Sequence, residues 1–289
     1  MLFVISCLST VFAVEIKLKG YVPPDFSAIV LHEEYVKIRQ ILQPGFIDEP
    51  EPVTIIFYSA KKERILGVRL PEWGGGGAIG TDSIIIPVDR PSAFYSSDLL
   101  KVTLHELVHI AVNRTYGYIR IPRWVHEGLA MALSGEIAFD EHIILSKAIL
   151  TNSLIPLDSI ERLNFFPEAK ARIAYSQCHF AMRFLLDNYG YDLLPELLNN
   201  AVKYRKFETA ALRTYGLTTS ELQDILTKEI SSRYRFAFLF SDSSLIWFLI
   251  LLLAVVGFMV TRSRKKQKML QMEYQEQFET ESMDSDSNV

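Results

Sequence analysis

Two histidines four positions apart carry the chemistry most visible in this chain. His105-Glu106-Leu107-Val108-His109 reads H-E-x-x-H inside a run patterned as a helix. On a helix, side chains four apart share a face, so both imidazoles can turn a ring nitrogen toward one cation. Glu106 sits beside them as a candidate general base. Thirteen positions beyond His109, the segment Pro122-Arg123-Trp124-Val125-His126-Glu127-Gly128-Leu129-Ala130 opens a second predicted helix, with Glu127 eighteen positions beyond His109. Glu127 there can supply the carboxylate that a three-ligand catalytic zinc requires. The chemistry this points to is zinc-dependent hydrolysis, with a peptide bond as the expected target.

The alternative is a pair of core histidines hydrogen-bonded to backbone, and the surrounding sequence decides between the two. Ser96, Ser97 and Asp98 offer N-cap residues. Leu99, Val102, Leu104, Leu107, Val108, Ile110 and Ala111 make the helix apolar nearly all round, and Gly117 and Pro122 stop it. A helix of that kind is a buried one. Histidine and glutamate are costly in such a helix unless something pairs with them, which favours the metal. His126 is a rival third ligand, but one residue along a helix turns it by roughly 100° from Glu127, so the glutamate is preferred. Asn113, one turn beyond His109, is either an orienting amide or a plain helix-surface one.

HELVH followed by W-V-H-E-G-L-A resembles the gluzincin metallopeptidases, in particular the peptidase MA-like family. The matching positions of the second motif are Trp124, Glu127, Gly128 and Ala130. The resemblance implies that His105, His109 and Glu127 bind Zn2+ and that Glu106 activates a water. A metzincin would need glycine at Val112 and histidine at Thr115, and neither is present. Two imidazoles and one carboxylate leave zinc a net positive charge and an open fourth position. The metal lowers the pKa of water there to about 7, and Glu106 can carry the proton on to the departing amine. The resemblance also implies a tyrosine or histidine as oxyanion donor. Tyr175 and His179, one turn apart, are the candidates, with a buried structural tyrosine as the alternative.

The elements that must position these residues give an α+β fold. The expectation is a zincin-like catalytic domain with a small mixed β-sheet and the metal-site helix, followed by an all-helical lobe. Phe26–Leu42 is patterned as a helix closed by Pro44-Gly45, and Val53–Tyr58 as a strand. Gly74–Gly77 lacks the lysine of a phosphate loop; it is read as a loop feeding a strand, Ser83–Pro87. Ala78–Ile86 is either a substrate-binding edge strand or an ordinary hairpin. Helices follow at Tyr175–Asn188, Leu193–Tyr204 and Phe207–Tyr215, and Thr218 with Glu221 spells a capping box. The predicted domain runs 14–242, divided into 14–117 and 118–242, with the substrate cleft between the two lobes.

Both termini point to a membrane. Residues 1–13 are apolar, end in Val-Phe-Ala and read as a signal peptide, although without a basic start. Leu245–Val260 is sixteen residues without a charge, and 243–261 is the predicted transmembrane helix. Arg262, Arg264, Lys265, Lys266 and Lys268 follow at once, which keeps 262–289 cytoplasmic and the catalytic domain periplasmic or extracellular. The tail from Met269 is expected to be disordered. A net charge of −4 gives no basis for a nucleic-acid partner; the expected partners are a polypeptide substrate and the membrane. Of two cysteines, Cys7 lies in the leader, so Cys178 is read as a buried apolar residue and not a nucleophile. The alternative to a peptidase is a non-catalytic, membrane-tethered zincin-fold module for binding or assembly.

Overall fold

Val53, Ile55 and Phe57 are buried while Thr54 and Ile56 are only half-buried, the period-two alternation that makes Val53–Tyr58 a strand with one inward face. The computed structural model describes residues 14–24, 26–47, 51–59, 67, 70, 74–89, 99–136, 140–235 and 243–286. It places this strand, β2, between β1 (Ile16–Gly20) and β4 (Ser83–Pro87), parallel to both. A short β3 (Gly77–Ile79) pairs antiparallel with β4, giving a mixed four-stranded sheet of order β1-β2-β4-β3. Ala78–Ile86 is therefore a hairpin and not one edge strand. β4 is an inner strand, and within the hairpin β3 takes the edge of the sheet.

Helix α1 (Ala28–Leu42) links β1 to β2, and α2 (Leu99–Tyr116) follows β4. The two helices lie against one another and against the sheet. α2 is buried continuously from Val102 to Val112, as its all-round apolar pattern predicts. Two polar side chains fix its C-terminal end. The Tyr116 hydroxyl donates to the Leu42 carbonyl at the end of α1. The Arg114 guanidinium donates to the carbonyls of Thr81, Glu51 and Pro52, at 2.5, 2.8 and 3.0 Å, and so holds α2 to the start of β2 and the β3–β4 turn. The proposed cap residues Ser96, Ser97 and Asp98 lie outside the described residues, as does the 1–13 leader.

α3 (Arg123–Ser134) carries the second motif, followed by α4 (Glu141–Leu150), a 3-10 turn (Leu157–Phe165) and α5 (Glu168–Tyr189). α3 and α5 cross in near backbone contact at Gly128. A Cβ there would stand 2.3 Å from the Cys178 carbonyl oxygen, so only glycine allows the crossing. Trp124, fully buried, sets its ring edge-on against Phe207 at 5.7 Å, tying α3 to α7 (Phe207–Tyr215). α6 (Leu193–Tyr204) packs on α7. α8 (Thr219–Tyr234) begins at the capping box read from sequence, in which Glu221 N–H donates to Thr218 Oγ and Thr218 N–H to the Glu221 carboxylate. α5 starts ahead of its predicted boundary at Tyr175, and Cys178 on it is a fully buried thiol.

One hydrophobic cluster runs from the sheet through α2, α3 and α5 to α8, so the two predicted lobes share a core. The chain up to Arg235 is a single compact unit, and the residues from Phe236 form another. In the second unit, α9 (Ser243–Asp286) is one helix of 44 residues. Trp247–Leu270 within it is long and apolar enough to cross a membrane. The tail expected to be disordered is helical as far as Asp286. Its glutamates, glutamines and methionines are good helix formers, and they extend a helix already nucleated by the apolar segment.

Candidate metal centre

α2 presents His105, Glu106 and His109 on one side, and the first turns of α3 bring Glu127 against them. All four lie in the walls of a cleft of about 310 Å³. His105 Nε2 stands 3.3 Å from one Glu127 oxygen, and His109 Nε2 stands 3.9 Å from the other. The two imidazoles meet edge to face at 4.9 Å. One donor atom from each of His105, His109 and Glu127 lies within 4.8 Å of the other two. Donors held about 2.0–2.2 Å from one tetrahedral centre stand roughly 3.3–3.6 Å apart, close to this arrangement.

The protonation chemistry asks for a cation at the same point. His105 Nδ1 lies 2.7 Å from the carboxylate of Glu136, just beyond the end of α3. A neutral imidazole has a single N–H. If Nδ1 donates it to Glu136, the Nε2 lone pair faces a Glu127 oxygen across 3.3 Å, and only a positive charge between them makes that contact favourable. In the metal-free protein the charge is a proton. Burial opposes it, but the carboxylates of Glu136, Glu127 and Glu106 outweigh burial and hold His105 well above its ordinary pKa. A divalent metal meets the same demand. Among the described residues, three buried carboxyl groups, Glu106, Glu127 and Glu136, share the site with the Arg123 guanidinium, an excess of acidic groups that a divalent cation would offset. The donor set therefore fits a divalent metal ion of the kind that takes nitrogen and oxygen ligands.

Arg123 lies one turn before Glu127 on α3, with its guanidinium 2.8 Å from the Glu127 carboxylate and 3.2 Å from Asn164 Oδ1. Burial pushes the Glu127 carboxyl up, but Arg123 and the His105 hydrogen bond prevail and hold it well below the carboxylate range. His109 is driven well below the ordinary histidine range by burial and by neighbouring His126, so it stays neutral with a lone pair to offer. Glu106 goes the other way. Burial and the charges of Glu127 and Glu136 carry it up to about 7, against the pull of His105 and a hydrogen bond from the Ala78 N–H. That hydrogen bond joins the candidate base to the outer strand β3. The glycine run Gly74–Gly77 lines the cleft beside it.

The other sequence candidates separate clearly. Tyr175, nearly buried on α5, lines the cleft. His179, one turn later, does not; it is buried against Glu141 of α4 with its Nδ1 on that carboxylate. His126 stacks face to face on His109 at 4.4 Å, its ring close to parallel, and is not one of the converging donors. Asn113 lines the cleft with its amide nitrogen 3.5 Å from the Gly80 carbonyl. Glu136 and Arg123 were not singled out in the sequence. Arg123 had a signal, its i, i+4 spacing to Glu127; Glu136 had none, because its partner lies on another helix.

An uncharacterized protein of Bacillus subtilis (strain 168), YhcO, is 23% identical over 217 residues, covering 70% of this chain. The alignment takes in 63% of YhcO, so this chain spans less than two thirds of that relative. The sequence pattern of the Peptidase MA superfamily matches residues 39–232, well over half of the chain and the whole of α2 and α3. With a match over that much of its length, the chain belongs to the Peptidase MA superfamily.

Proposed function

We propose that this chain is a membrane-anchored zinc metallopeptidase of the gluzincin type that hydrolyses peptide bonds in polypeptide substrates. The observation that carries the reading is the convergence of His105, His109 and Glu127 at the wall of a cleft that also holds Glu106. Zinc bound by those three residues supplies a Lewis acid for the scissile carbonyl and lowers the pKa of water.

Glu106 is the base. A carboxyl that titrates at about 7 before metal binds can accept a proton at neutral pH and give it up again to the leaving amine. The Ala78 N–H aims its carboxylate, and burial keeps competing solvent away. Arg123 keeps Glu127 ionised and ready as a ligand. Tyr175, in the cleft wall, donates its hydroxyl to the oxyanion that develops as the carbonyl is attacked. A non-catalytic relative would have no use for a base in that position. α9 supplies the anchor, with the basic run from Arg262 on the cytoplasmic side and the peptidase unit periplasmic or extracellular.

The test uses the full-length protein in detergent, assayed for bound metal and for cleavage of a peptide library by mass spectrometry. Cleavage should disappear with a chelator and return with zinc. Glu106→Gln should keep its zinc and lose at least about 100-fold in rate. Chelator-resistant cleavage, or full turnover by Glu106→Gln, would contradict the assignment.

A further inference from the structure

We propose that Glu136 is a positioning residue of the metal centre, one that fixes the tautomer and orientation of His105 so that Nε2 faces the metal. The inference rests on the metal reading above and adds to it a residue that lies outside both sequence motifs. α3 ends at Ser134, and Gly135 takes the left-handed conformation (φ 68, ψ 20) that reverses the chain. Glu136 N–H then donates to Ser134 Oγ at 3.2 Å, and its side chain turns back toward α2. Its carboxylate is 1% exposed, with one oxygen 2.7 Å from His105 Nδ1. The other oxygen is buried and has no hydrogen-bond partner among the described residues.

A carboxylate so deeply buried is costly unless a specific partner compensates it. Here the compensation comes from His105. One helix thus addresses both nitrogens of one ring: α3 sets Glu127 against Nε2 from its first turns and Glu136 against Nδ1 from just past its end. With Nδ1 protonated toward Glu136, the Nε2 lone pair is free for the metal. The opposite tautomer would set the Nδ1 lone pair against carboxylate oxygen. His109 has no such carboxylate at Nδ1: its ion-pair contact among the described residues is made by Nε2, with Glu127. The two histidines are therefore unequal ligands, and His105 is the one held in place in advance.

The experiment compares full-length wild type, Glu136→Gln and Glu136→Asp in detergent. It measures zinc affinity by competition with a chromogenic chelator, the visible absorption spectrum after cobalt substitution, and thermal unfolding without metal. Glu136→Gln should bind zinc about 10–100-fold more weakly and show an altered cobalt spectrum. Glu136→Asp, which keeps the charge on a shorter arm, should recover part of the affinity, and it decides the question alone if Glu136→Gln does not fold. A merely structural Glu136 would lower the metal-free unfolding temperature while leaving affinity and spectrum alone. Zinc affinity within about two-fold of wild type in the folded variants, with an unchanged cobalt spectrum, overturns this role and leaves the peptidase reading intact. A wild-type protein that binds no zinc overturns both.

Discussion

Glu106 answers to two opposing demands: burial favours its neutral form, and its proposed work as a base needs the charged one. In the metal-free protein its carboxyl titrates at about 7, against 4.5 in an unstructured chain. Between those values the folded state binds more protons than the unfolded state, so stability falls as pH rises through the window and levels off above it. Glu106→Gln removes the charge without changing the shape. It should stabilise the metal-free protein by up to about 3 kcal/mol at pH 8 and by little at pH 4. Denaturant unfolding at the two pH values measures this, and an equal effect at both would count against the raised pKa. Arg123 offers a second check at this scale. Its removal as Arg123→Met leaves the buried Glu127 carboxylate short of a cation, at a cost of about 1–3 kcal/mol, since Arg123 itself is partly exposed. Zinc should restore more stability to that variant than it adds to wild type. Equal thermal shifts on adding zinc would sink the idea.

At the scale of elements, the proposed metal site depends on how closely α3 approaches its neighbours. At Gly128 α3 is in near backbone contact with α5, and the missing Cβ is what permits it. Gly128→Ala would drive a methyl group into the Cys178 carbonyl, and backbone cannot yield as a flexible side chain would. We expect a loss of about 3 kcal/mol or more in unfolding free energy, together with weakened zinc binding because Glu127 is the adjacent residue. A variant as stable as wild type would show that the helices can part without harm. The same crossing explains why glycine follows the glutamate in the second motif: the ligand and the contact that seats its helix are neighbours in sequence. Arg114 has the matching part on α2, joining that helix to three carbonyls at the sheet.

At the scale of the molecule, two units of different solvent preference lie on one chain. The unit up to Arg235 buries its apolar residues in a shared core, whereas Leu249–Leu253 in α9 remain exposed. A helix of that length and apolarity is what a membrane span requires, which is the basis of the proposed anchor. A chain cut after Asp242 should leave the membrane fraction and keep zinc-dependent peptide cleavage. Fractionation of cells followed by the peptide assay tests both parts, and a truncated protein still sedimenting with membranes would argue against α9 as the anchor.

Much of the architecture was open to reading because its causes are local. H-E-x-x-H on a helix, the strands Val53–Tyr58 and Ser83–Pro87, the helices α6 and α7 and the Thr218–Glu221 cap all follow from periodicity, β-branching and capping chemistry within a few residues. What lay beyond reach depended on partners distant along the chain. β1 needed β2 beside it to become a strand. The Glu141 carboxylate on His179 comes from α4, 38 positions away along the chain. Glu136 resembled any loop glutamate until a left-handed glycine turned it back onto His105. Sequence alone determined which side chains could ligate and which turn of helix they share, since both are matters of chemistry and short-range geometry. Tertiary packing decided which carboxylates stand around them, because burial and charge pairing arise only when separate helices meet.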